Sequence, residues 1–148
     1  MKRKHNKKQT STTLKCPYCG AHAVLKSADG IYRDNSKGEM LYVCKNYPAC
    51  DSYVRVQKGT NIPLGTLANK KLRELRKEAH HYFDMLYKTG LITKTSAYEW
   101  LSGTLLRPLE YAHIGMLGEY DCQIVIAESK KYLKMEMEKR KARKEDVA

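Results

Sequence analysis

The longest periodic pattern of apolar residues lies between residues 67 and 88. Its apolar side chains begin at Leu67 or Ala68 and recur at spacings of three and four, at Leu72, Leu75, Ala79, Phe83 and Leu86. This period is that of one face of an amphipathic helix. Gly90 follows at a position where helices commonly end. The pattern therefore predicts a first helix over about residues 67–88.

Two further helical patterns follow the first. Ser96 and Glu99 have the spacing of a capping box, which predicts a second helix over about residues 96–106. Its apolar residues are Trp100, Leu101 and Leu105, and Pro108 is expected to stop it.

A third helix is predicted after Gly118, because Glu119 and Asp121 suit the first turn of a helix. Its apolar face is expected to contain Cys122, Val125, Ile126, Ser129 and Leu133. After Leu133 the periodicity fades, and the helix is expected to continue with its surface exposed.

Residues 14–58 have a different pattern, rich in Cys, Tyr, Gly and β-branched residues. Short strands are predicted at 23–26, 40–44 and 53–57. The Gly-, Asn- and Asp-containing stretch 29–38 indicates a hairpin loop between the first two strands.

These patterns divide the chain into four segments. We expect a disordered basic arm at 1–13, a zinc ribbon at 14–60, a helical segment at 61–134 and a charged tail at 135–148. The predicted fold class is α+β, with a small four-cysteine β ribbon followed by about three α-helices.

Four of the five cysteines have the spacing of a metal site. Cys16 and Cys19 form a C-x2-C pair, and Cys44 and Cys50 form a C-x5-C pair 24 residues later. Two thiolates from each of two turns close a tetrahedral shell that leaves no position for water, which predicts one structural zinc ion. Gly20 is expected to supply the backbone angle that lets amides point at the sulfurs.

Other uses of these thiols remain open from the sequence. A four-cysteine site can also hold iron, as in rubredoxin-like or iron–sulfur centres. A redox pair of Cys16 and Cys19 would leave the second pair without a role. Cys122 lies on the apolar face of the third predicted helix, where a small buried side chain is favoured over a reactive one.

The charge distribution favours polyanionic partners. The net charge is +12, of which residues 1–15 contribute +6, residues 16–60 contribute +2 and residues 61–148 contribute +4. A basic surface favours nucleic acid first and anionic membrane second. No secretory pattern and no apolar run long enough for a membrane span is present, so we expect a cytoplasmic protein without a membrane partner.

The ribbon interleaves aromatic and basic residues in a way that suits nucleic-acid binding. Exposed aromatic rings stack on unpaired bases while neighbouring cations hold phosphates. The candidate nucleic-acid-binding residues are Tyr18, Arg33, Tyr42, Lys45, Tyr47, Tyr53 and Arg55. About half of the ribbon tyrosines, which also include Tyr32, are expected to pack in its core instead. The basic residues of helix 1, including Arg73 and Arg76, are expected to form a solvated face.

The ribbon resembles the C-terminal zinc ribbons of bacterial type I DNA topoisomerases. The likeness covers about 40 residues and lies in Cys-Pro-Tyr-Cys-Gly at 16–20 and Cys-Lys-Asn-Tyr-Pro-Ala-Cys at 44–50. In those enzymes such ribbons bind single-stranded DNA and carry no cleavage chemistry. The loop between the cysteine pairs is longer here than in many of those ribbons, and no other part of a topoisomerase is present in this chain.

A more extensive resemblance covers about residues 14–130. It is carried by the ribbon together with Pro-Leu-Gly-Thr-Leu-Ala at 63–68, Lys-Glu-Ala-His-His-Tyr-Phe-Asp at 77–84, Ala-Tyr-Glu-Trp-Leu at 97–101 and His-Ile-Gly-Met at 113–116. These residues resemble a bacterial and phage family of small zinc-finger-containing proteins catalogued as a domain of unknown function. The resemblance implies a ribbon joined to a helical segment in a phage or prophage setting, and it implies no particular activity.

Together these observations predict a non-enzymatic protein that binds nucleic acid, DNA more than RNA, and prefers single-stranded or distorted DNA. The alternative is an interaction module that docks on a host DNA- or RNA-processing protein. An enzyme is the third hypothesis, because no catalytic set or phosphate-binding loop is present. Only His113 and Cys122 suggest a Cys/His pair.

Overall fold

A computed structural model describes residues 14–146 of the chain, so the predicted basic arm lies outside the described residues. Three strands form an antiparallel sheet in the order β1-β2-β3, namely β1 (Ala23–Ser27), β2 (Met40–Cys44) and β3 (Tyr53–Arg55). Three helices follow, α1 (Lys70–Lys88), α2 (Lys94–Leu105) and α3 (Glu119–Asp146). Two short 3-10 turns, Leu109–Tyr111 and Ile114–Met116, lie between α2 and α3. The predicted α+β class, with a ribbon followed by three helices, is confirmed.

The sheet is covered on both faces, which explains why β2 is buried along most of its length. Because side chains alternate along a strand, Tyr42 and Cys44 pack on one face and Leu41 and Val43 on the other. Each face is closed by a few loop residues, so the ribbon has two thin apolar layers. A metal ion is the usual addition where a core is this small.

The helical unit has a larger core of its own. Phe83 and Leu86 of α1 pack with Ala97 and Leu101 of α2, and all four side chains are fully buried. The buried residues of α3 are the five that the pattern predicted, namely Cys122, Val125, Ile126, Ser129 and Leu133. No helix of residues 14–146 has both the length and the apolar character that crossing a membrane requires.

The first helix starts three residues later than its apolar pattern predicts. Asn69 is the N-cap, and its side-chain oxygen accepts a hydrogen bond from the amide of Leu72 at 3.0 Å. Ala68 forms an antiparallel bridge with Tyr53 of the sheet, through two backbone hydrogen bonds of 3.1 Å. Leu67 packs into the ribbon core and Ala68 into the helical core, so the chain passes from one core to the other between neighbouring residues.

The prediction that Ser96 and Glu99 form a capping box at the start of the second helix was wrong. Thr93 is the N-cap, because its hydroxyl accepts a hydrogen bond from the amide of Ser96 at 3.1 Å. The helix therefore begins at Lys94, and Ser96 lies inside its first turn. It ends at Leu105, before Pro108, through Leu106 in a left-handed conformation.

The prediction that all basic residues of α1 form a solvated face was also wrong. Arg76 is buried, with 8% of its surface exposed. Its guanidinium donates to the carbonyl oxygens of Leu117 at 3.1 Å and Thr66 at 2.7 Å, and to the Thr66 hydroxyl at 2.6 Å. A planar guanidinium with several donors suits such a position. Arg76 thus holds the connector before α1 against the turn before α3.

Candidate metal centre

The four predicted ligands lie together at one end of the sheet. The sulfurs of Cys16, Cys19, Cys44 and Cys50 are all within 4.8 Å of one another. The sulfurs of Cys16 and Cys50 are 3.5 Å apart, and those of Cys19 and Cys44 are 3.4 Å apart. The chemistry of this donor set fits one tetrahedral metal ion with four thiolate ligands.

The first pair of ligands lies on a tight turn before β1. The amide of Gly20 donates to the carbonyl oxygen of Cys16 at 2.9 Å, and the amide of Cys16 donates to Ala21 at 2.8 Å. Gly20 has a φ of 74°, as predicted, and this left-handed conformation favours glycine.

The second pair begins at the end of β2 and continues into the next turn. The amide of Tyr47 donates to the carbonyl oxygen of Cys44 at 2.9 Å, and the amide of Cys50 donates to Asn46 at 3.0 Å. A hydrogen bond of 3.0 Å from the Lys45 amide to the carbonyl oxygen of His22 joins this turn to the residue just before β1. The backbone therefore brings the two pairs together.

The surroundings of the first pair favour the thiolate form that binds metal. Burial acts to raise the pKa of Cys16, but hydrogen bonds from the Ser52 hydroxyl and from the amides of Tyr18 and Cys19 outweigh it and lower this pKa to about 6. The amide of Ala21 lowers the pKa of Cys19. Amides that point at the sulfurs stabilise negative charge on them.

The surroundings of Cys44 act in the opposite direction. Burial raises the pKa of Cys44 to about 12, although the amide of Asn46 opposes this effect. A thiolate at this position needs a cation beside it, which a bound metal ion would supply. The site is therefore suited to binding a cation that stays in place, and four thiolates leave it no open position for catalysis.

The structure adds a residue that the cysteine spacing does not reveal. Ser52 is completely buried, and its hydroxyl oxygen lies 3.0 Å from the sulfur of Cys16 and 3.6 Å from that of Cys50. Its carbonyl oxygen also accepts from the amide of Cys44 at 3.0 Å. Ser52 thus contacts three of the four ligand residues. In the sequence, the only indication that Ser52 contacts the metal ligands is its position two residues after Cys50.

The predicted nucleic-acid-binding residues lie partly on one face of the sheet, partly in the ribbon core and partly at other exposed positions of the ribbon. Tyr47 and Tyr53 lie with Tyr32 on the sheet face that carries Leu41 and Val43. The ring centroid of Tyr53 is 6.3 Å from that of Tyr32 and 6.5 Å from that of Tyr47, in edge-to-face arrangements. We call these three half-buried rings the tyrosine face.

Cations surround the tyrosine face. The ammonium of Lys26 lies 5.9 Å from the ring centroid of Tyr47. Arg55 is exposed and lies two residues after Tyr53, so it shares this side of β3. The guanidinium of Arg73 lies over the Tyr53 ring at 3.9 Å, and it is also bound to the carbonyl oxygen of Asp51 at 2.6 Å. Sequence patterns missed Arg73 here because it comes from α1.

The other predicted residues lie elsewhere on the ribbon. Arg33 and Lys45 are exposed. Tyr18 is 44% exposed, and its hydroxyl accepts a hydrogen bond from the amide of Asn69 at 3.2 Å. Tyr42 is buried in the ribbon core, and its hydroxyl donates a hydrogen bond to the carbonyl oxygen of Asn61 at 2.6 Å. Its ring therefore belongs to the tyrosines that were expected to pack in the core.

The two residues considered for a Cys/His pair lie in different surroundings. His113 is exposed, with its ring centroid 6.0 Å from that of Tyr98. Cys122 is completely buried in the helical core, and burial raises its thiol pKa to about 11. Cys122 is therefore a protonated core side chain at neutral pH.

Comparison with known proteins agrees with the site. The sequence model of one protein family, described as a zinc-finger-containing domain, matches residues 12–132, which include all four ligands, the sheet and most of the helical unit. No curated protein and no solved structure matches the chain. The metal ion that the four cysteines are positioned to bind is therefore zinc. The chain belongs to the family of the zinc-finger-containing domain.

Proposed function

We propose that this protein binds nucleic acid, DNA more than RNA, through its zinc ribbon, that it prefers single-stranded or distorted DNA, and that it catalyses no reaction. The observation that carries the proposal is the tyrosine face, where three aromatic rings lie in contact on one side of the sheet. The phage or prophage setting, implied by the family resemblance alone, belongs to the same proposal.

The chemistry of the tyrosine face fits unpaired bases better than a paired duplex. Bases stack on aromatic rings regardless of sequence, and nearby cations hold the phosphates that join them. Lys26 and Arg55 supply such cations, and both are exposed. Arg73 covers one side of the Tyr53 ring, so Tyr53 supports the face while Tyr47 and Tyr32 are the rings for bases.

The zinc ion has a structural role in this proposal. Tyr47 lies between the ligands Cys44 and Cys50, so the turn that carries the ring is shaped by the metal. Zinc removal is therefore expected to abolish single-strand binding even though the metal touches no nucleotide.

The test is single-strand binding by the zinc-loaded full chain, measured by fluorescence anisotropy at physiological and higher salt. Because one base–ring stack contributes about 1–3 kcal/mol, Tyr47→Ala is expected to weaken binding about tenfold, and the loss should persist at high salt. Tyr47→Phe keeps the ring and is the matched control. If Tyr47→Ala and Tyr32→Ala both bind as the unchanged protein does, the stacking proposal is wrong.

The second candidate is a module that docks on a host DNA- or RNA-processing protein. It is favoured by exposed apolar side chains after α2, since Leu106 is 91% exposed and Leu109 is 53% exposed. Leu109 also lines an open hollow of about 350 Å³ with Tyr98 and Lys94. Exposed apolar groups of this kind often mark interaction sites. A partner that stays bound after nuclease treatment and is lost in Leu106→Ser would favour this candidate.

A further inference from the structure

The end of α3 projects away from the ribbon. Lys71 pairs with Glu119 at 3.2 Å and Glu78 pairs with Lys130 at 4.0 Å, so α1 and α3 run in the same direction. The ribbon meets the beginning of α1, where Tyr18 contacts Asn69. The last buried residue of α3 is Leu133, and the helix continues to Asp146.

The projecting part of α3 carries a dense group of cations. Residues 139–144, which we call the basic segment, are Lys-Arg-Lys-Ala-Arg-Lys. At about 100° per residue, the five cations cover an arc of about 200°, and Glu138, Glu145 and Asp146 fall in the remaining sector. Within residues 14–146, only Lys139 of these five cations forms a salt bridge, to Glu136 at 3.4 Å. The basic segment thus presents one strongly cationic side.

Helix stability alone does not account for this arrangement. Cations near a helix C-terminus interact favourably with its dipole, and one or two would suffice for that effect. Lys139 with Arg143, and Arg140 with Lys144, are like-charge pairs at i,i+4, and such pairs destabilise an isolated helix. A polyanion along this side would turn the repulsion into attraction.

The amino-acid composition of the basic segment indicates which kind of polyanion it fits. Residues 133–146 contain no aromatic side chain, so the basic segment lacks the rings on which unpaired bases stack. Membrane-surface helices need a continuous apolar face, and Ala142 is the one apolar side chain of residues 138–146. A cationic helix without stacking groups or an apolar face suits the phosphates of a duplex, whose charges are closely and regularly spaced.

We propose that the basic segment binds the phosphate backbone of a nucleic-acid duplex while the ribbon holds a single strand. From Glu119 to Lys139 the helix rises about 30 Å, which corresponds to about nine base pairs. The partner that fits both ends is a junction between single- and double-stranded nucleic acid. The junction specificity rests on the proposed function of the ribbon, whereas duplex binding by the basic segment does not.

The test compares two variants with the same change of charge. The basic-segment variant carries Arg140→Gln, Lys141→Gln, Arg143→Gln and Lys144→Gln, and glutamine retains helix propensity. The control carries Lys77→Gln, Lys88→Gln, Lys94→Gln and Lys131→Gln, all at exposed positions outside the segment. Full-length, zinc-loaded proteins are titrated with a single strand, a blunt duplex and a junction whose duplex arm exceeds about nine base pairs.

We expect the basic-segment variant to bind duplex and junction about tenfold more weakly at physiological salt, with the log–log salt slope reduced by about 2–3. Its single-strand binding should change by less than about twofold, and the control should bind duplex nearly normally. Equal losses in both variants, an equal loss on the single strand, or no duplex binding by the unchanged protein would overturn the proposal. In a parallel titration with phosphatidylserine vesicles, a loss of binding that appears only on the vesicles would also overturn it.

The two proposals fail in different ways in this experiment. If the ribbon does not bind single strands, Tyr47→Ala has no effect while the basic-segment variant still loses duplex binding. If the basic segment does not bind duplex, its variant behaves as the control does while Tyr47→Ala still loses single-strand binding.

Discussion

The hydroxyl oxygen of Ser52 lies 3.0 Å from the sulfur of Cys16, and both residues are buried. The hydroxyl also lies 3.6 Å from the sulfur of Cys50. One side chain therefore contacts ligands from both cysteine pairs, and its hydroxyl stabilises negative charge on Cys16. Partners of metal ligands commonly affect metal affinity by about 10–100-fold.

Ser52→Ala is expected to lower zinc affinity about tenfold, because the thiolates lose a buried hydrogen-bond donor. Competition between the protein and a chromophoric chelator measures this change. Ser36→Ala, at an exposed position in the hairpin loop, is the control and should bind zinc normally. Normal zinc affinity in Ser52→Ala would show that the hydroxyl does not support the site.

Zinc removal is expected to expose four thiols and leave the fifth protected. The metal holds the four ribbon cysteines, whereas Cys122 is completely buried among apolar side chains of the helical unit. Labelling with a thiol reagent after chelation should therefore modify four cysteines quickly, and Cys122 only after denaturant is added. Rapid labelling of all five upon chelation would contradict the separation of the two cores.

Arg76→Ala is expected to destabilise the protein by about 2–4 kcal/mol, because it leaves buried carbonyl oxygens of Thr66 and Leu117 without their donors. Arg76→Lys should recover only part of the loss, since an ammonium lacks the planar fork of donors. Chemical denaturation measures both. Lys77→Ala, at the exposed neighbouring position, should change stability by less than about 0.5 kcal/mol.

Gly65→Ala and Gly103→Ala are expected to change stability in opposite directions. A Cβ on Gly65 would lie 1.8 Å from the carbonyl oxygen of Gly115, whereas a Cβ on Gly103 meets no atom within 4 Å. Gly103 lies inside α2, where alanine is favoured by about 1 kcal/mol. Thermal unfolding should show a lower Tm for Gly65→Ala and a higher one for Gly103→Ala. Similar Tm values for both would contradict the close contact at Gly65.

Local patterns were sufficient to predict the metal ligands and the buried face of α3. The spacing of the cysteine pairs is itself a requirement of tetrahedral coordination, so Cys16 and Cys44 could be assigned without a structure. Periodicity likewise identified Val125 and Leu133, because a helix that packs on one side repeats at its own period.

Contacts between distant segments were not predictable in this way. Arg76 lies on the buried stripe of α1, between Leu72 and Ala79, but the sequence does not show that the carbonyl oxygen of Leu117 accepts a hydrogen bond from it. The position of Arg73 over Tyr53 depends on how α1 meets the sheet. The start of α2 was misplaced because Thr93 and Ser96 are both good capping residues, and the backbone decides between them.

The contact between Gly65 and Gly115 has a consequence for the order of events during synthesis. The last zinc ligand, Cys50, leaves the ribosome well before Gly115, whose carbonyl oxygen accepts the hydrogen bond from the amide of Thr66. The nascent ribbon can therefore take up its metal while the connector still lacks its partner. In chain order, the ribbon with all four of its ligands is thus complete before the segment that holds the connector against the helical unit has been made.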